Sequence, residues 1–326
     1  PSNSKKKLLS SLIKINPGFY PNIPQFYKKL SKFIRVSPNN LFITEGVSGG
    51  IKTIIEAYSQ NKKSEILYFS PTFSMYEVYA KMFNLKEKKI KVTLDTTRNF
   101  NNLINKISYN TTFIFLPNPN IPIENFFDEK KIFKLINICK KNKILLIVDE
   151  VYFPFSNFSV LKYLKIYNKL FILRSFSKAF GLAGIRLGYI ISAKENIEYI
   201  SKLRTGYETN SYSMAVADFY MNNDYILKNY ITEVKKGFLY FKDKLIKNNI
   251  SYQSGDQSCY IFVNLKNNKL NKNIINELKT KKIFIRSGWD KPYNNYVLIS
   301  GTYYKKFIIF FYIFIKTYKK YNKNDK

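Results

Sequence analysis

The sequence contains no histidine, two cysteines and a single tryptophan in 326 residues. Without an imidazole there is no Ser-His-Asp or Cys-His nucleophilic centre and none of the usual histidine-containing zinc sites. Cys139 and Cys259 lie far apart and form no CxxC pair, which argues against a disulfide framework or a thiolate metal centre. Acidic residues are also scarce, 22 against 54 Lys and Arg, giving a net charge of +32 and a pI near 9.8. That excess would ordinarily point to nucleic acid or an anionic membrane. The lysines, however, are scattered among asparagines and isoleucines with no arginine-rich or aromatic-interleaved block, so they read as a solvated surface with no nucleic-acid or membrane partner. The longest apolar run, Phe307 to Ile315, has nine residues, well short of the roughly 20 of a membrane-spanning helix. No basic-then-apolar signal opens the chain, which starts at Pro1 and reads as trimmed, and the expected location is cytoplasmic.

What is present is apolar: 45% hydrophobic and 17% aromatic residues, enough for one large and one small domain. The chemistry must then rest on Lys, Asp, Tyr and Arg. The stretch that gathers such residues runs from Ser175 to Tyr189, SFSKAFGLAGIRLGY, directly after the apolar Lys169 to Leu173. Lys178 stands among small and hydroxyl residues with no acidic sequence neighbour, a setting in which an amine loses its proton more cheaply and serves as a nucleophile toward an aldehyde. Ser175, Ser177 and Arg186 are spaced so that two hydroxyls and a guanidinium can converge on a dianion beside it. A phosphorylated aldehyde cofactor, pyridoxal 5′-phosphate, fits that arrangement. The bland alternative is a glycine-rich loop with an exposed lysine.

This stretch resembles the cofactor-lysine signature of fold-type I pyridoxal-phosphate enzymes of aminotransferase class I/II, and in its form it is most similar to the histidinol-phosphate aminotransferase branch. Other matches extend the resemblance from about residue 1 to about residue 302. Tyr20-Pro21 matches a step that reaches the partner subunit's cofactor phosphate, which implies a homodimer with shared sites; packing of an aromatic under a proline turn is the alternative. Leu41 to Ile51 runs from a short strand through a glycine-rich turn into a helix, where the backbone amides of Val47 and Ser48 are candidates for phosphate binding. In Ser70 to Tyr76, the resemblance places Phe73 flat on the cofactor ring; ordinary core packing is the other reading. Pro117 to Glu124 is similar to the family's NPNNPTG turn, with Ile121, Ile123 and Glu124 replacing Asn, Thr and Gly. Isoleucine cannot make the hydrogen bond to the ring oxygen that the family's second asparagine makes, so Asn120 or the strand below it must substitute, or the contact is absent.

Lys143 to Val148 reads as a buried strand ending in Asp149. A carboxylate there is costly unless it meets a cation, and a pyridinium N–H is such a partner; a helix N-cap is the alternative. Tyr152 stands where the family's tyrosine donates to the ring oxygen. Repeated strand, turn and helix predict an α/β fold: a large domain with a mostly parallel sheet flanked by helices, whose ligand sits at the carboxyl ends of the strands, and a small C-terminal α+β domain. The expected division is an N-terminal arm (1–30), a large domain (31–230) and a small domain (231–326). Within these, the pattern predicts helix from Lys5 to Ile15, a long loop from Asn16, helix over 193–203, 210–230 and 231–248, strands at 260–265, 283–286 and 297–300, and a frayed tail over 316–326.

The resemblance implies an aminotransferase acting on a small, phosphorylated amine or keto substrate, with glutamate as the common amino donor. Arg286 matches an arginine that grips the substrate's distal anion, whereas Val297 stands where a second family arginine belongs, which suits a substrate with one anionic group. A decarboxylase of a phosphorylated amino acid and a catalytically weakened binder on the same fold remain as alternatives.

Overall fold

The computed structural model describes residues 2–59, 64–254 and 256–323, and these fall into two compact units: Pro1–Asn120 with Asn125–Leu227, and Ile121–Glu124 with Lys228–Lys326. In chain order the elements are α1 (Ser2–Ile13), α2 (Ile23–Ile34), β1 (Leu41–Thr44), α3 (Gly46–Tyr58), β2 (Glu65–Ser70), α4 (Met75–Met82) and β3 (Lys86–Lys91). Next come α5 (Thr96–Lys106), β4 (Thr111–Pro117), α6 (Glu129–Asn142), β5 (Leu145–Asp149), β6 (Leu170–Ser175), β7 (Gly188–Ser192), α7 (Lys194–Ile200) and α8 (Ser211–Asn222). The chain continues with α9 (Asp224–Lys247), β8 (Tyr252–Gln253), β9 (Tyr260–Asn264), α10 (Asn268–Thr280), β10 (Tyr296–Ser300) and α11 (Tyr304–Lys323).

The first unit is built on a seven-stranded sheet in the order β1-β7-β6-β5-β4-β2-β3. The four contacts from β3 to β6 are parallel and only those of β7 are antiparallel. Its central strands β5 and β6 are buried along their whole length and β4 at all but Thr112, as expected of apolar runs covered by helices on both faces. Register then fixes one functional edge: Pro117 pairs with Asp149, Ser175 with Gly188, and Gly188 with Thr44. The carboxyl ends of β1, β4, β5 and β6 therefore lie along one side, where crossover loops collect.

The predicted long loop after Asn16 is short. The Asn22 side chain accepts a hydrogen bond from the Gln25 N–H and caps α2 one residue later, with Pro24 in its first turn. The helical reading of 210–230 is interrupted at Asn223, whose side chain turns back to the Phe219 carbonyl and separates α8 from α9.

The second unit has a three-stranded antiparallel sheet, β10-β9-β8, with α10 and α11 packed together. The segment 283–286 is not a strand. Ile283 N–H closes the end of α10 on the Leu278 carbonyl, Phe284 is exposed, and pairing with β10 is limited to an isolated bridge between Arg286 and Leu298. The tail does not fray where it is described: α11 runs to Lys323 because the aromatic stripe Phe307, Phe311, Phe314 and Tyr318 stays buried and Lys320 pairs with Glu277 at 2.7 Å. Residues 324–326 lie outside the described residues. Glu124, which departs from the glycine of the resembled turn, accepts hydrogen bonds from Gln257 N–H (3.1 Å) and Ser258 Oγ (2.7 Å), and burial raises its pKa. No helix among the described residues is long and apolar enough to cross a membrane.

Candidate active site

Two clusters form along the functional edge. The first surrounds Asp149, the last residue of β5, which is 2% exposed. Its Oδ2 accepts a hydrogen bond from the Tyr76 hydroxyl at 2.7 Å, and its Oδ1 accepts the Val151 N–H at 3.0 Å. Burial pushes its pKa up to about 6, against the opposing pull of the two hydrogen bonds and of the Lys178 charge. Asp149 is therefore not a helix cap; it is a buried acid that the fold places beside a lysine. The local sequence around Lys178 has no acid, but β5 and β6 are neighbours and bring one to it. Lys178 itself is half-buried, three residues beyond the end of β6.

Tyr76 is the residue that sequence reasoning passed over. It is fully buried in the first turns of α4, and both burial and the adjacent Asp149 charge raise its pKa well above that of free tyrosine. Phe73 lies three residues earlier with its ring edge-on to Tyr76 at 5.9 Å, and it is still 43% exposed. The i, i+3 spacing within one motif was the available signal. Tyr152 is buried and within electrostatic reach of Tyr76. Asn120 is fully buried, its side-chain amide donates to the Pro71 carbonyl at 3.1 Å, and its backbone pairs with Asn125.

The second cluster sits at the start of α3. Glu45 caps this helix without a side-chain hydrogen bond, so the amides of its first turn, Val47 and Ser48 among them, keep their donors for another acceptor. The Arg186 guanidinium lies 3.5 Å from the Ser48 hydroxyl. Two glycines make this approach possible. A Cβ on Gly46, whose φ is +64°, would stand 2.8 Å from Arg186 Nη2, and one on Gly188 would stand 2.6 Å from the Gly46 carbonyl carbon. Ser175 and Ser177 are linked through their hydroxyls at 2.9 Å, with the Ser177 N–H also bonded to Ser175 Oγ.

A helix start with open amides, hydroxyls and a guanidinium fits a phosphate, and a buried carboxylate fits a protonated ring nitrogen beside the lysine. These residues therefore suit pyridoxal 5′-phosphate. Tyr20 does not join either cluster: it is 78% exposed and stacks on Tyr207 at 4.2 Å. In the second unit, Arg286 is exposed with its guanidinium 4.6 Å from the Trp289 ring centre, and Val297 is fully buried in β10.

Residues 13–289 match the family Aminotransferase class I and II. Similar proteins include the histidinol-phosphate aminotransferase of Caldanaerobacter subterraneus subsp. tengcongensis, 32% identical over 65% of this chain and 60% of the relative. Another is that of Buchnera aphidicola subsp. Diuraphis noxia, 32% identical over 74% of this chain and 66% of the relative. The aligned region spans under two thirds of the length of these relatives. Among solved structures, the histidinol-phosphate aminotransferase from Clostridium acetobutylicum superposes with a TM-score of 0.84 at 21% identity, over 98% of this chain and 96% of that one. L-threonine-O-3-phosphate decarboxylase from Porphyromonas gingivalis gives 0.80 at 21%, over 99% and 95%.

Proposed function

Because the chain belongs to the aminotransferase class I and II family, we propose that it is a pyridoxal-phosphate-dependent aminotransferase resembling histidinol-phosphate aminotransferase. The observation that carries this reading is the buried Asp149 beside Lys178 at the ends of adjacent parallel strands. The cofactor is pyridoxal 5′-phosphate, which when bound supplies an aldehyde for an amine and a ring that withdraws electrons from the carbon next to it. Asp149 holds a proton on the ring nitrogen, and Tyr76 holds Asp149. With the cofactor in place, Lys178 would anchor it and would serve as the base that carries a proton at its Nζ. Tyr152 would serve the ring oxygen and Phe73 the ring face, while Asn120, fully buried with its amide on the Pro71 carbonyl, would support the turn beside them. Ser175, Ser177, Arg186 and the amides of Val47 and Ser48 hold the phosphate.

Tyr76→Phe removes the donor from Asp149 Oδ2 and should raise the carboxyl pKa further, toward neutral. At pH 7 the affinity for the cofactor is then expected to fall by about tenfold, equivalent to about 1.4 kcal/mol and typical of a hydrogen bond to a charged group. Equilibrium binding followed by absorbance checks this, and unchanged affinity would remove Tyr76 from the site.

The substrate reading rests on Arg286 and Val297. Arg286 takes one anion, and with Val297 packed into the core of β10 a second guanidinium is lacking at that position. A small phosphorylated amine or keto compound is the proposed partner, and glutamate the proposed donor. The same lack of a second carboxylate holder favours transamination over decarboxylation. Mixing the holoprotein with phosphorylated amino alcohols should convert the cofactor to its amine form without release of carbon dioxide. Ready reaction with plain α-amino acids alone would overturn the assignment of Val297 and Arg286.

We also infer a homodimer, a working division into an arm (1–30), a large domain (31–230) and a small domain (231–326), and a cytoplasmic setting in keeping with two buried free thiols. The arm exposes Ile13, Phe19 and Tyr20 by 73–82%, an apolar surface suited to a second copy, with Tyr20 reaching the partner's site. Sedimentation should give a dimer that Tyr20→Ala and Phe19→Ala weaken together.

A further inference from the structure

Directly beside Asp149 in sequence, Glu150 is buried and ion-paired. Its Oε2 accepts from Arg174 Nε at 3.0 Å and Nη2 at 2.9 Å, and from Ser159 Oγ at 2.9 Å, while its Oε1 accepts the Val160 N–H at 2.7 Å. Arg174 in turn donates to Ser159 Oγ at 2.7 Å, bonds the Tyr189 side chain, and has its guanidinium carbon over the Phe153 ring, 3.8 Å from the ring centre. The two charged side chains are 3% and 6% exposed. Arg174 immediately precedes Ser175, and Tyr189 immediately follows Gly188. One ion pair therefore ties together β5, β6 and β7 at the residues next to Asp149, Ser175 and Gly188. Alternation along a strand puts Asp149 and Glu150 on opposite sides of the sheet, so Glu150 cannot touch the ligand that Asp149 meets.

A second carboxylate one residue from Asp149 in a poorly solvated strand end acts against ionisation of Asp149 unless a cation cancels it. We propose that Arg174 and Glu150 are positioning residues for Asp149: their mutual neutralisation lets Asp149 carry its own charge at neutral pH, and their hydrogen bonds fix the three strand ends that present the cofactor-binding residues. This rests on the reading of Asp149 as the partner of the ring nitrogen. Among the described residues, the groups that act most strongly on Asp149 are Lys178 from the loop after β6, the neutral hydroxyl of Tyr76 from α4 with Tyr152 behind it, and Glu150 directly after it in the chain. The pull of Glu150 on Asp149 is unfavourable, consistent with the need for a counter-charge.

The test compares E150Q with E150Q/R174M in the whole chain. In E150Q the guanidinium remains, cannot lose its proton, and is no longer cancelled. Asp149 then titrates lower by about one pH unit, about tenfold in proton occupancy. The double variant restores neutrality with an unbranched apolar side chain that replaces the aliphatic stem of Arg174, and the midpoint returns to the wild-type value. Two readouts follow the midpoint: carboxyl-carbon NMR of the cofactor-free protein, assigned by its loss in D149N, and the pH at which acidified holoprotein releases its cofactor. A merely structural pair would lower the melting temperature in both variants and leave the midpoints where they were, which overturns the proposal. So does a double variant that titrates like E150Q. The NMR midpoint decides the inference even if the protein binds no cofactor, a result that would instead sink the functional reading.

Discussion

Lys178→Ala should leave the protein unable to bond the cofactor aldehyde, so the visible absorbance of the lysine-bound cofactor disappears and turnover falls by at least about 10⁴-fold. The loss has two parts. The amine is both the anchor and the proton carrier, and its charge also lowers the cost of ionising Asp149. Lys178→Arg separates them: a guanidinium keeps the charge near Asp149 but cannot lose its proton to act as a nucleophile or base. The arginine variant is therefore expected to match alanine in absorbance and rate while keeping the Asp149 titration close to wild type, whereas alanine moves that titration upward. Absorbance spectra, single-turnover rates and carboxyl NMR read these outcomes. Retention of both absorbance and rate in Lys178→Ala would eliminate this lysine as the anchor.

Asp149→Asn should separate stability from activity in opposite directions. Burial raises the folded-state pKa of Asp149 to about 6, from 3.8 for the exposed group. The native state then holds this proton more tightly than the unfolded chain does. Its stabilising contribution is fully present below about pH 3.8 and is lost as pH rises through about 6. Two pKa units correspond to roughly 3 kcal/mol as an upper bound. Asparagine carries no charge to bury and can still accept from the Val151 N–H or the Tyr76 hydroxyl. The cofactor-free variant should accordingly be more stable than wild type at pH 7, by about 1–3 kcal/mol, and indistinguishable near pH 4. Activity moves the other way. A neutral amide does not hold a proton on the ring nitrogen, and the rate is expected to drop by about 10²–10³-fold, as when one charge-stabilising group is removed from an active site. Denaturant unfolding at the two pH values together with half-reaction rates measures both. A destabilised variant at pH 7 would mean that Asp149 is satisfied by its surroundings and has no unmet need for a cation.

The glycines show how far local pattern carried. Their clustering around Gly46 suggested a helix start suited to phosphate, because small residues and an open N-terminus are local properties. That Gly188 is required for the same site follows only from the register Thr44–Gly188–Ser175, which packs β7 against the start of α3. Tyr76 illustrates the same limit. Its place in the Ser70 to Tyr76 motif was visible, but its hydrogen bond to Asp149 spans 73 residues of chain.

The sequence by itself determined the parallel α/β core, the strand ends on which the candidate residues fall, and the types of group available for chemistry, because apolar runs, turn residues and the lack of histidine need no knowledge of neighbours. It misread the segment at 283–286, since an apolar run of strand character forms a strand only if a partner offers its backbone, and here the end of α10 takes the Ile283 N–H first. It misread the tail for the converse reason: the many lysines after Phe314 suggested fraying, while the buried faces of Phe314, Thr317 and Tyr318 and the pairing of Lys320 with Glu277 keep the helix in place. The tertiary structure alone decided which charges meet. Lys178 and Asp149, like Glu150 and Arg174, lie more than twenty residues apart in sequence, and only the adjacency of β5 and β6 sets one pair beside the site and the other beneath it, where burial makes their electrostatics strong.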